Sequence, residues 1–74
     1  MTKMIITGSH EVSVLKSIYY HDEISVVKRL KKNETVMVDT SMSYFDWQNN
    51  EYYKCDIGKD FDCFIPVGGV KNNA

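Results

Sequence analysis

The sequence predicts an all-β domain, a small five-stranded, partly open barrel, and three observations carry that prediction. The stretch 51–67, EYYKCDIGKDFDCFIPV, places Tyr53, Cys55, Ile57, Phe61, Cys63 and Ile65 at alternate positions on either side of Gly58, Lys59 and Asp60. A period of two marks strands with one buried face, and a short Gly-containing loop closes them into a hairpin. Short β-branched segments recur between polar turn clusters along the rest of the chain. No stretch carries a convincing amphipathic helical period, so the sheet is expected to bend round and hide its own edges.

Length and composition narrow the function before any motif is considered. A chain of 74 residues is one domain, and a domain that small hides only about 60% of its unfolded surface, which leaves little energy for strained catalytic machinery. With 43% hydrophobic and 26% charged residues the composition is that of a folded protein, a monomer or a piece of a small oligomer. The net charge of -1 supplies none of the attraction to phosphates that nucleic-acid binding relies on, so nucleic acid is disfavoured. The opening MTKMIITGSH lacks the apolar run of about 7–15 residues that a signal peptide needs, and nothing approaches the roughly 20 apolar residues of a membrane span. A cytoplasmic protein is expected. Two cysteines exclude a disulfide-dense miniprotein.

The elements follow in order. Residues 1–10 form an arm that either frays or adds a short strand, with Gly8 as a turn. The barrel is expected over residues 11–70. EVSVLKSIYY carries Val12 and Val14 on one face and then breaks phase, which predicts a strand bent near Leu15 and Lys16. His21, Asp22 and Glu23 are a polar loop. ISVVKRL, at 24–30, fits a short strand or one helical turn, and its β-branched residues favour the strand. Lys31, Lys32, Asn33 and Glu34 form a charged turn with Asn33 left-handed. TVMV, at 35–38, is a strand, and residues 41–50 are a polar loop holding Tyr44, Phe45 and Trp47. In the hairpin a turn centred on Lys59 sets Ile57 opposite Phe61 and Cys55 opposite Cys63, with both thiols inward. Pro66 ends the ladder, Gly68 and Gly69 permit a turn before Val70, and residues 71–74 are a loose tail.

These residues resemble a family. VSVLKSIYYHDEISVVKRLKKNETVMV is similar to the first half of bacterial Src homology 3-like domains, with Leu30, Lys31, Lys32 and Asn33 at the family's "LKKG" turn and TVMV at its "TVTV" strand. EYYKCDIGKDFDCFIPVGGV resembles the family's closing hairpin, with Tyr52 in place of the usual Trp, Cys55 in place of the core Val, and Phe64 and Ile65 as the closing aromatic and aliphatic pair. The chain departs from the pattern at Cys63, where the family has Gly, and over 16–23, which replaces an Arg-Ser-Gly-Pro-like segment. The likeness covers roughly 12–70. It implies a binding module for cell-wall peptides or other proteins, and a stand-alone copy resembles small proteins of phages and mobile elements, which are carried in the particle.

The candidate sites are weighed against plainer readings. Cys55 and Cys63 read as a cross-strand disulfide or as two reduced thiols packed as small hydrophobes, the commoner state in a cytosolic protein. His10 and His21 lie far from them in sequence, so neither a zinc site of four ligands nor a Cys–His nucleophile is expected. Asp56, Asp60 and Asp62, beside Glu51, read as a solvated acidic edge rather than a calcium loop. Lys28, Arg29, Lys31 and Lys32 read as a solvated turn rather than a phosphate site. The aromatics Tyr19, Tyr20, Tyr44, Phe45, Trp47, Tyr52 and Phe64 outnumber what a small core holds. They either plug the barrel end or form a contact surface, led by Trp47, Tyr20 and Tyr52. The expected function is a non-enzymatic module without cofactor or metal. It binds a protein or peptide through aromatics of the loops 19–23 and 41–50; the alternatives are an assembly component that homo-oligomerises by an edge strand, and a cell-wall-binding domain.

Overall fold

The computed structural model describes residues 1–8, 10–19 and 23–72. Seven strands form one antiparallel sheet: β1 (Thr2–Ile6), β2 (Val12–Leu15), β3 (Val26–Leu30), β4 (Thr35–Phe45), β5 (Glu51–Asp56), β6 (Cys63–Pro66) and β7 (Val70–Asn72). Their order across the sheet is β3-β2-β6-β5-β4-β1-β7. Two single turns of 3-10 helix, Glu23–Ser25 and Val67–Gly69, complete the chain, and the described residues contain no α-helix.

The expected strand count of five is corrected to seven, because the two chain ends pair with each other. β1 lies antiparallel to β7, with Ile6 opposite Val70 and Met4 opposite Asn72, and its other edge runs along β4 from Thr2 opposite Val38 to Ile5 opposite Thr35. Met4, Ile6 and Val70 are buried by this pairing. Lys71 and Asn72, expected in a loose tail, are therefore strand residues; Asn73 and Ala74 lie outside the described residues. Of the two readings of residues 1–10, fraying arm or short strand, the structure shows the strand, held by β4 on one side, whereas β7 becomes a strand by completing the hydrogen bonds of β1 on the other.

Every strand contributes to one core. Ile6, Val14, Leu30, Val38, Cys55, Ile65 and Val70 meet in a single cluster that draws on β1 to β7 in turn. A flat sheet cannot bring its two edges to one cluster, so the sheet curls. The curl sets the 3-10 turn before β7 against β2: a Cβ at Gly69 would lie 3.0 Å from Cγ2 and 3.1 Å from Cγ1 of Val12. Only a glycine fits that approach without displacing Val12.

The predicted hairpin holds its register. Cys55 faces Cys63 and Tyr53 faces Ile65, which centres the turn on Lys59. The strands, however, stop at Asp56 and Cys63, and Gly58 turns the chain at φ 84°. Alternation therefore ends before Phe61, expected to point inward and found 45% exposed, while Ile57 stays packed on the core.

Three further boundaries move. Residues 23–25 wind into the 3-10 turn, so the strand expected from Ile24 starts at Val26 and Ile24 is exposed. β4 does not end at Val38 but runs to Phe45 through an irregularity: Asp39 faces Lys54, and the next paired residue, Ser43, faces Tyr53. The Asp39 carboxylate staples this bulge by accepting from the Ser41 amide at 3.0 Å and the Ser41 hydroxyl at 2.6 Å. Much of the expected loop 41–50 is thus strand, and only 46–50 connects β4 to β5. Asn33 is left-handed at φ 75°, as expected for its turn, and its amide donates to the Ile6 carbonyl while the Ile6 amide donates to Glu34, tying the turn to β1.

Candidate functional site

The hairpin loop at 46–50, DWQNN, is built around one carboxylate. Asp46 is buried, and its Oδ1 accepts from the amides of Gln48 at 2.9 Å and Asn50 at 2.8 Å. Its Oδ2 accepts from the Asn50 side-chain amide and from the Tyr52 hydroxyl, both at 3.1 Å. Two main-chain bonds, Asp46 amide to Asn50 carbonyl and Asn49 amide to Asp46 carbonyl, close the same loop, with Asn49 left-handed at φ 67°. An Asp that bonds to backbone two residues ahead fixes a turn in the way a main-chain carbonyl would.

This scaffold holds Trp47 out of the protein at 77% exposure, next to Phe45 at 53%. A large aromatic that stays exposed on a braced loop loses little conformational freedom when something packs against it.

Burial opposes ionisation of Asp46, but the hydrogen bonds from Asn50, Tyr52 and Gln48 outweigh it and hold the carboxyl below its ordinary value of 3.8. Burial and then the bond to Asp46 push the Tyr52 phenol upward, so it remains a donor. A carboxyl depressed in the folded state stabilises the fold fully above its unfolded pKa, and the contribution disappears as pH falls through the folded one. The stability difference between wild type and Asp46→Asn should therefore be constant at neutral pH and shrink below 3.8. Denaturant unfolding across pH checks this; a difference unchanged down to about pH 2 contradicts it. Asp39, also depressed, by its bonds from Ser41, is present in both proteins and cancels.

The other predicted contact residues divide. Tyr19 is exposed, whereas Tyr20 lies outside the described residues. Tyr52 is buried and leaves the contact surface: it packs with Leu15 and Ile18 in a second cluster, joined by half-buried Tyr44 and Phe64. Tyr44 and Phe64 meet edge to face, with ring centroids 5.7 Å apart. Lys54 sits 5.0 Å over the Tyr44 ring and 3.3 Å from Asp62, so that corner is already filled by the protein's own groups. Alternation had put Tyr52 and Phe64 on the outward face, but the segment at 15–18 folds over that face and covers them. Asp46 was missed, although an Asp followed two and four residues later by amides that need acceptors is a legible turn signal.

Cys55 and Cys63 are free, buried and directly opposite each other on β5 and β6. Burial, with the neighbouring Cys63 and Asp56 adding to it, pushes the Cys55 thiol up to about 12; burial also raises Cys63. Neither is an activated nucleophile. Under non-reducing conditions the native protein should react slowly with a thiol reagent and release two thiols per chain once unfolded. An unfolded chain with no titratable thiol would show a disulfide instead.

Among the described residues no group of three or more His, Cys, Asp or Glu is placed to hold a metal ion, and no helix is long and apolar enough to cross a membrane. No family model matches the sequence, and comparison with curated proteins and with solved structures returns no significant match.

Proposed function

We propose that the protein is a non-enzymatic binding module that takes hold of a protein or peptide through Trp47 and Phe45, at one end of a curled sheet of the partly open, Src homology 3-like kind. The observation that carries this reading is the contrast at the β4–β5 loop: a buried carboxylate braces the backbone from inside while the indole beside it stays in solvent. Energetically dominant interface residues are enriched in Trp and sit on preorganised backbone. Phe45 widens the apolar contact on the strand leading into the loop.

The test is selection of binders from a random peptide library on the immobilised protein, followed by titration of synthetic peptides against wild type, Trp47→Ala and Trp47→Phe. Trp47 is the only tryptophan, so its fluorescence reports binding at the loop directly. Peptides that shift the emission and lose affinity for Trp47→Ala support the reading. Peptides that bind Trp47→Ala as well as wild type overturn it. Retention on purified peptidoglycan that depends on Trp47 would assign the same surface to wall peptides.

A further inference from the structure

β3 is the edge strand at one end of the sheet. It pairs with β2 alone, from Val12 opposite Leu30 to Leu15 opposite Val26. β4 follows it after only four residues yet turns away to pair with β1 and β5. Between β3 and that part of the sheet lies a cleft of about 320 Å³. Its apolar lining comes from Leu30, Val36, Met37 and Ile57, and its charged lining from Lys28 on β3 and from Lys3 and Asp56 across it. Lys3, Met37 and Asp56 stand in one cross-strand row over β1, β4 and β5.

The charge around this edge is one-sided. Lys28 and Lys3 share the cleft with Asp56, and Lys31 and Lys32 follow β3 in the turn that ends at Glu34, in a chain whose net charge is -1. Among the described residues the ammonium groups of Lys28, Lys31 and Lys32 pair with no carboxylate. An edge strand offers unpaired N–H and C=O groups to any extended chain, and cations along it repel an edge of the same sign. A second copy's β3 is therefore the wrong partner. The same charges attract a strand of opposite sign.

We propose that the free edge of β3 takes up an extended acidic segment of another polypeptide as an added strand. Main-chain hydrogen bonds to β3 give the affinity, and the side chains on one face of the added strand enter the cleft, apolar ones against Leu30 and Ile57 and carboxylates against Lys28 and Lys3. Strand addition of this type reads side chains with a period of two. This surface does not depend on Trp47, and the two can fail separately.

The probe is a peptide of about ten residues that carries Glu and Val in turn at every second position with Thr between them, with its Lys and Val counterpart as control, titrated into isotope-labelled protein and followed by amide shifts and hydrogen exchange. The acidic peptide should shift and protect the amides of Val26–Leu30 and leave Trp47 emission unchanged, with binding weakened by added salt. The combined exposed substitutions Lys28→Glu, Lys31→Glu and Lys32→Glu should keep the thermal unfolding cooperative, cut the acidic peptide's affinity at least about tenfold and favour the basic one. Equal response to both peptides, shifts confined to residues 46–50, or no response at millimolar peptide overturns the proposal. So does a wild-type dimer that the triple substitution dissociates, because that would make a second copy the occupant.

Discussion

Ile65→Ala should lower Tm by more than about 10 °C, from a core loss of about 2–5 kcal/mol. Ile65 is fully buried in the middle of β6, opposite Tyr53, at the centre of the cluster to which all seven strands contribute. Truncation removes three carbons from a strand that lies between β5 and β2, so the cavity has little room to collapse. A domain of this length has about 4–11 kcal/mol in total, and the loss is a large share of it. Met42→Ala, at 60% exposure on β4, is the control and should change stability by no more than about 0.5 kcal/mol. Similar melting of the two variants would mean that the curled sheet does not share one core.

Trp47→Ala should leave stability within about 0.5 kcal/mol of wild type and remove about 2 kcal/mol or more of binding, roughly thirtyfold in Kd. The separation is the informative feature. Trp47 contributes little to the fold because the brace beneath it is made by Asp46, Asn50 and Tyr52 rather than by the indole. Trp47→Phe retains an aromatic face and should fall between the two. A Trp47→Ala protein that melts early would instead make the indole part of the structure.

The hairpin at 51–67 was legible because its alternation is local: a period of two with a glycine turn sets the register of Cys55 and Cys63 without help from distant residues. Asn33 was legible for the same reason. The ends of the chain were less so, since Thr2–Ile6 reads equally as arm or strand until β4 pairs with it, and Val70–Asn72 becomes a strand only against β1. The reach of β4 past Val38 was hidden because Ser41 and Asp39 bond to each other within a polar run that reads as loop. Tyr52 was placed on the surface by alternation alone, and only the path of the chain at 15–18, packing Leu15 and Ile18 on it, reveals the second cluster. Trp47 needed no tertiary information to be singled out, but the hydrogen bonds that brace its loop converge on Asp46.

Backbone order parameters for residues 46–50, from relaxation of the labelled protein, test that rigidity without any partner in hand. A loop braced by Asp46 should give values of about 0.85, level with β4 and β5 on either side, and lose them in Asp46→Ala; wild-type values below about 0.6 would contradict the account.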